Sequence, residues 1–382
     1  MSEYQYYEFL ALDQPLTDEQ YEQVRALSTR AEITRTRFVN EYQWGDFRGN
    51  PSALMDLCYD AHLYFANWGT RILMLRLPLS LLDIETTAEY CNDETFSSRR
   101  SDENIVLEFH SEDEGGEGWE EGWPSLASLI GIRAELAAGD LRALYLAWLA
   151  GVWFDGAEAD ADDALEPPVP AGLGQLTASQ RALADLLRVD RDMLDAASSA
   201  SDRIAEASHV GLDAAVDSWI RGLTTKQKDE ALRRLLSDDH PKTRAEMLRA
   251  ARPRNFGVSA APRTLASLVA AASERAALRE SARQQELDRQ RALREEEARH
   301  QWESRLALLS DRGERPWADV ADLIAAKKPT SYDSAVRLLT DLAELSRRRG
   351  TSARFAERLA ELRSTHQRKP SLIERLDAAD LP

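Results

Sequence analysis

Lysine is missing from more than half of this sequence. None precedes Lys226. A phosphate-cradling loop of the form G-x-x-x-x-G-K-[ST] needs its lysine on the β and γ phosphates, so residues 1–225 hold no such loop. The same absence removes nuclease centres that set a lysine beside two acids. Cysteine is almost as scarce. Cys58 and Cys91 are the whole complement, too few for a disulfide framework. Long apolar runs are missing too, since no stretch reaches the roughly 18 residues of a membrane span. The longest, LRALYLAWLAGVWF (141–154), reads as a buried core helix. The start, MSEYQYYEF, has neither a basic beginning nor an apolar run, which argues against a signal peptide. These absences lead us to expect a cytoplasmic protein with no membrane partner. The G-x-S-x-G elbow and the H-E-x-x-H zinc motif are absent. The G-x-G at Gly116 and Gly118 has Glu121 where a dinucleotide fingerprint needs glycine. No cofactor is expected.

Acid is abundant and unevenly spread. The chain of 382 residues has a net charge of −18. Residues 1–166 hold 33 acids against 11 bases, while residues 167–382 hold 33 against 37. A front half at −22 repels phosphate backbones, so duplex nucleic acid is a poor partner for it.

The patterning predicts an α+β protein, with a mixed α/β domain of about four strands followed by an all-α region. Strands are expected over 3–12, 32–44, 71–79 and 103–110. Thr17 and Gln20 form a T-x-x-Q capping box with Leu16 as the outer half of a hydrophobic staple, and the box recurs at Thr177/Gln180 and Thr224/Gln227. Asn50-Pro51-Ser52 is expected to open a helix whose stripe runs through Leu54, Leu57, Cys58, Ala61, Phe65 and Trp68 until Gly69 stops it. Acids, prolines and glycines over 156–175 mark the end of the acidic domain (1–155), and a second linker is expected at 251–263, after a helical segment (176–250). Residues 264–312 read as one long charged helix. Its middle has only Leu278, Leu287 and Leu293 as large apolar residues, so it is a solvated helix laced with ion pairs or a weak antiparallel coiled coil. The tail, 313–382, reads as an αα-hairpin with a third short helix: Gly350 stops the first, Pro370 marks the end of the second, and Ser371 with Glu374 caps the last.

Four sets of residues carry candidate chemistry. FHSEDEGGEGWEEGWPS (109–125) holds six carboxylates and two tryptophans. It fails both registers of a calcium loop, which puts Pro124 or Gly122 where the bidentate glutamate belongs. Its rings, Trp119 and Trp123, among Glu112, Asp113 and Glu114, are the candidate partner anchor; the alternative is that the rings pack on the domain while the acids face water. Arg35 and Arg37, expected on one strand face, would bind an anion or ligand in a pocket with Trp44 and Trp68, or else pair with neighbouring acids. Cys58 and His62, four apart on the expected helix, suit two metal ligands with Cys91 or His110 completing a site; the competing reading buries Cys58 as a small hydrophobe. The tail is basic at Lys327, Lys328, Arg347, Arg348, Arg349, Arg354, Arg358, Arg363, Arg368 and Lys369. It would contact nucleic acid weakly over 315–382, or dock on an acidic surface of this chain or a neighbouring copy.

The run SYDSAVRLLTDLAELSRRRGTSARFAERLAELRSTHQRKPSLIERLDAADL (331–381) resembles the helical segment at the C-terminus of bacterial SWIM zinc-finger proteins. The zinc motif of that family, C-x-C followed later by C-x-H, is absent, because Cys58 and Cys91 stand far apart. Its metal and its nucleic-acid role therefore do not carry over. The front half, with SEYQYYEF, RAEITRTRFVNEYQWGDFRG and SEDEGG, is similar to uncharacterised bacterial proteins, which implies no function. The expectation is a non-enzymatic interaction or scaffold protein, binding partners through the acidic domain and the helical tail, with self-association through 264–312. The rivals are a regulator touching nucleic acid through the tail and a ligand-binding or enzymatic front domain.

Overall fold

A computed structural model describes residues 4–92, 94–112, 125–152, 164–202, 209–236, 243, 246–247, 250–251 and 263–381, with the side chains of 209–215 left aside. The chain forms two compact units, 1–279 and 280–382.

The first unit is organised by an antiparallel sheet of seven strands, in the order β2-β3-β1-β4-β5-β7-β6. The strands are β1 (Gln5–Leu10), β2 (Glu32–Ile33), β3 (Arg37–Tyr42), β4 (Ala61–Ala66), β5 (Arg71–Pro78), β6 (Phe96–Ser101) and β7 (Asn104–Ser111). The α+β class is as expected, and the number of strands is larger. Both faces of the sheet are buried. Leu63, Leu73, Leu75, Ile105, Leu107 and Phe109 enter one core, and Phe9, Phe38, Met74 and Val106 enter the other. Side chains alternate along a strand, so β5 sends Leu73 and Leu75 one way and Met74 the other. A strand covered on both sides reads as a continuous apolar run, RILMLRLP, without polar alternation.

The second core is closed by α1 (Asp18–Arg25) and α2 (Pro51–Leu57). All three T-x-x-Q boxes form with both reciprocal bonds, at the starts of α1, α7 (Ala178–Leu186) and α10 (Thr225–Leu235). The helix expected over 50–68 is corrected. It ends at Leu57, and Ala61–Ala66 is strand β4. Ala61 and Phe65 fit a helical stripe and an alternating one equally, and pairing with β1 and β5 decides for the strand. Gly69, at φ +106°, belongs to the turn into β5 rather than to a helix stop. The strand expected over 32–44 is also two strands, with Thr34–Thr36 as the bend between β2 and β3.

The first core is closed by α3 (Ile84–Ala88), α4 (Leu126–Leu129), α5 (Gly131–Ala137), α6 (Arg142–Ala150), α7 and α8 (Arg191–Ser198). In α6, Ala143, Leu144, Tyr145, Leu146, Ala147 and Leu149 are all buried. The boundary expected at 156–175 lies partly outside the described residues, and its described end is no free linker. Val169, Ala171 and Leu173 are buried, and Leu183, Leu186 and Met193 belong to the same core as the sheet. Leu165 bridges Thr264, the Glu166 amide donates to the Arg263 carbonyl at 3.0 Å, and the Leu265 amide donates to that of Ala164 at 2.8 Å. Beneath this junction the Glu166 carboxylate, almost fully buried, accepts from Arg263 and from the Tyr145 hydroxyl. A second buried set holds the other end of the strap. Arg142 donates to Asp140 and to the carbonyls of Gly172 and Gln175, and Gln180 donates to Asp140 and Glu135. The linker expected at 251–263 is described only at its two ends.

After α9 (His209–Gly222) and α10, the chain enters α11 (Leu265–Asp311), which contains the boundary between the units. Leu268 and Ala272 belong to the first core. Residues 277–301 are exposed throughout and carry pairs such as Arg291–Glu295 and Gln284–Asp288. Within the chain this stretch is exposed and laced with ion pairs.

The second unit packs α12 (Arg315–Ala325), α13 (Pro329–Arg348), α14 (Ser352–Thr365) and α15 (Pro370–Ala378) around Val320, Ile324, Leu339, Leu359, Leu372 and Leu376. Gly350 follows α13 at φ +69°, the left-handed stop expected there. The cap expected from Ser371 and Glu374 does not form. Lys369 holds the N-cap position with no side-chain bond, Pro370 opens the helix, and the Ser371 hydroxyl instead accepts from Arg375.

The buried Glu166–Arg263 pair makes a stability prediction. Arg263→Ala leaves a desolvated carboxylate with only the Tyr145 hydroxyl, and is expected to cost about 3–5 kcal/mol. Replacing Glu166 and Arg263 together by Leu and Met is expected to cost much less. Urea unfolding followed by circular dichroism compares the two, and an equal loss in both would show that shape rather than charge holds the junction.

Candidate functional site

The residues expected to line a pocket in the front domain are not brought together. β1 fixes the geometry. Gln5 faces Tyr42 and Ala66 on its two neighbours, and Leu10 faces Arg37 and Ala61. Trp44 and Trp68, each two residues past those first partners, therefore sit at one end of the sheet. Arg35 and Arg37 sit at the other, about 17 Å along the strands. Arg35 lies in the bend before β3, where it pairs with Asp18 and donates to the Leu16 carbonyl, while Arg37 pairs with Glu8 at 2.8 Å. Trp44 is 71 % exposed beneath the Arg30 guanidinium. The arginines are thus engaged by neighbouring acids.

Cys58 and His62 do not share a helix face. Cys58 caps the C-terminus of α2, and His62 lies on β4. Burial pushes the Cys58 thiol up to about 11. His62 is fully buried, stacked on Phe9 at 3.9 Å between ring centres and close to Tyr7, with Nδ1 2.9 Å from the Glu8 carbonyl. Cys91 bonds to the Thr87 carbonyl, and His110 meets Glu112 at 3.2 Å. Among the described residues no group of three or more His, Cys, Asp or Glu could hold a metal ion. Asp113, Glu114, Trp119 and Trp123 lie outside the described residues; Glu112 is described and exposed.

The basic tail supplies a site of a different kind. A groove of about 190 Å³ opens in the second unit. Leu309 from the end of α11, Trp317 from α12, Leu342 and Leu345 from α13 and Phe355 from α14 give it an apolar lining, and Arg349, Arg354 and Arg358 give it a cationic one. Arg358 lies over the Trp317 ring at 4.3 Å, and Phe355 meets that ring at 5.6 Å. Its one acid is Glu314, which pairs with Arg358 and, at 3.5 Å, with Arg354. The Arg358 hydrogen bond and charge hold the Glu314 carboxyl below the usual glutamate range. Arg349 donates to the Ser310 carbonyl at 3.1 Å and to its hydroxyl. Three guanidinium groups against one carboxylate leave the groove with a surplus of two positive charges.

One placement breaks a local rule. Arg354 is the third residue of α14, where the helix dipole favours an anion. The first turn of α14 has no acid, and Thr351 makes no side-chain cap. A carboxylate approaching Arg354 meets a guanidinium and the positive end of a helix together.

Most of the remaining basic residues of the tail are engaged within their own unit. Arg347 and Arg348 grip Glu344 and push its carboxyl down to about 2. Arg363 pairs with Asp377, Arg375 pairs with Asp333, and Lys369 donates to the Ile324 carbonyl. Among the described residues the tail therefore combines local pairs with a cationic groove and is not a uniform basic face. The sequence singled out Arg349, Arg354 and Arg358 only as part of its basic run, and it missed Glu314, Trp317 and Phe355. The break Gly313-Glu314-Arg315-Pro316-Trp317 and the four-residue spacing of Arg354 and Arg358 were the available signs.

The buried His62 makes a pH prediction. Burial lowers its ring to about 4 from the ordinary 6.5, so the unfolded chain takes up the proton first as pH falls. The stability it contributes is full above about 6.5 and is lost progressively down to about 4, roughly 3 kcal/mol in all. His62→Phe is expected to flatten that part of the stability curve, read by urea midpoints at stepped pH; an unchanged slope would show that another group titrates. No family model, no curated protein and no solved structure matches this chain.

Proposed function

We propose that this protein is a non-enzymatic interaction protein whose second unit binds a protein partner through the groove between α12, α13 and α14. The observation that carries this reading is the convergence of Trp317 and Phe355 with three arginines on one small cavity. Tryptophan and arginine dominate the binding energy of protein interfaces, and they do so in partly enclosed pockets of this kind. The volume argues in the same direction. Sites for cofactor-sized ligands run from about 300 to 1,000 Å³. A groove of about 190 Å³ suits one or two side chains of a partner.

The acidic first unit is the second binding surface of this reading, with Trp119 and Trp123 as its anchors. Leu278, Leu287 and Leu293 are exposed, but separations of nine and six residues turn them about 180° and 240° around the helix, so they form no common seam for a second copy. Self-association through 264–312 is therefore not the favoured partner mode. Two free thiols agree with a cytoplasmic setting. No helix among the described residues is long and apolar enough to cross a membrane.

The nucleic-acid reading is the weaker one. Single-stranded nucleic acid needs an aromatic face on which a base can stack. One face of Trp317 is taken by Arg358, and its ring also meets Phe355. The test is affinity purification of the full chain at low salt beside the Arg354→Glu variant. A protein that the wild type retains in stoichiometric amount, that rebinds when purified and that the variant loses is the expected result. The same bound set for both, or nucleic acid in place of protein, overturns the reading.

A further inference from the structure

We infer that the ligand of this groove is an acidic peptide segment that carries one apolar side chain between carboxylates. This rests on the interaction reading and adds the chemistry of the partner. The surplus charge asks for anions, and a guanidinium takes a carboxylate through two parallel hydrogen bonds. Glu314 shows that the groove takes a carboxylate, since it pairs with both Arg354 and Arg358. Arg354 keeps most of its donors in solvent, its side chain being 73 % exposed, and so has capacity for a second carboxylate. The apolar lining from Leu309, Leu342, Leu345 and Phe355 sits beside these charges. A polyphosphate or a simple anion would make no use of that lining. An uncharged apolar peptide would make no use of the surplus charge. Only a segment with both features satisfies both walls.

The arginine geometry sets the order of importance. Arg358 is held between Glu314 and Trp317, so it shapes the wall and is hard to replace without disturbing the ring. Arg349 spends donors on Ser310. Arg354 contributes least to the unit's own packing and is the arginine whose removal reads binding rather than folding.

The experiment measures fluorescence anisotropy of a labelled synthetic peptide, one leucine flanked on both sides by glutamates, titrated with the full chain. Counterparts carry glutamine for glutamate or alanine for leucine. Expected is saturable binding of the glutamate–leucine peptide, at least about tenfold weaker for Arg354→Ala and intermediate for Arg354→Lys, which keeps the charge but loses the fork. Both changed peptides bind more weakly, and affinity falls as salt rises from roughly 50 to 500 mM. Unchanged thermal midpoints of the two variants exclude a folding effect; should Arg354→Ala unfold the unit, the peptide counterparts on the wild type decide alone. Equal binding of the glutamine peptide, indifference to Arg354, or displacement by polyphosphate or single-stranded RNA as readily as by unlabelled peptide overturns the inference. A partner retained in an Arg354-dependent way while the glutamate peptide fails to bind would sink the acidic-peptide assignment and leave the interaction reading standing. Loss of both would remove the two together.

Discussion

A sheet with two apolar faces has to be covered twice, and the first unit follows from that constraint. The alternating strands send Leu63, Leu73, Leu75 and Leu107 to one face and Phe9, Phe38 and Met74 to the other. Two short helices suffice for the second face, because large rings such as Phe9, Phe38 and Tyr59 fill it. The first face is wider and recruits chain from far along the sequence, including α7, α8 and the start of α11. Bringing those segments home buries charge. Glu166, Arg263, Asp140 and Arg142 are tolerated inside because each is paired and hydrogen-bonded, and a buried ion pair specifies an arrangement more reliably than it stabilises one. Asp192, buried at the base of α8, is matched in the same way by Arg279 at 2.6 Å.

The same rule, inverted, marks the groove. In the first unit, buried Glu8, Asp60, Asp140, Glu166 and Asp192 each meet an arginine. In the groove, one carboxylate serves two of the three guanidinium groups and the helix end beside Arg354 lacks an acid. Natural sequences depart from local consistency mainly where function requires it. Elsewhere in the second unit consistency returns. Asp341 is nearly buried and accepts from both Trp302 and Arg305, while Arg347 and Arg348 sit in the last turn of α13, where a cation suits the dipole and Glu344 lies one turn back.

How much of this the sequence carried depended on whether the information was local. Capping boxes are local, and those at Thr17, Thr177 and Thr224 formed with their reciprocal bonds. The α+β class, the buried helix around Leu146 and the long charged helix were legible for the same reason. Strand β6, FSSRRS, was not, because an edge strand needs only Phe96 for the core and leaves the rest half-wet. The helix over 50–68 was misread because its apolar spacing satisfied two periods at once, and only the neighbouring strands β1 and β5 separate them. Ser371 and Glu374 had the spacing of a cap but not the place, since Pro370 occupies the first helical position. The groove was the least legible element. Its arginines were visible, but its walls come from four different elements that only folding brings together.

The choice of cation sharpens the case for a carboxylate ligand. The cations facing the groove are all arginine, although lysines stand at 327, 328 and 369 in the same unit. Lysine would serve a diffuse field equally well, because a compact, strongly hydrated charge is enough to attract a polyanion. A guanidinium adds what an ammonium lacks: a planar fork that fits a carboxylate and a face that lies on an indole. Arg358 lays its face on Trp317 while one of its nitrogens donates to Glu314. Arg354, four residues earlier on the same helix, stands next to that arrangement with its donors largely in solvent. The field around this unit is otherwise small, because residues 280–382 hold 20 lysines and arginines against 19 acids. Attraction at long range is therefore weak, and selection occurs at contact, through the fork of Arg354 and the apolar wall beside it.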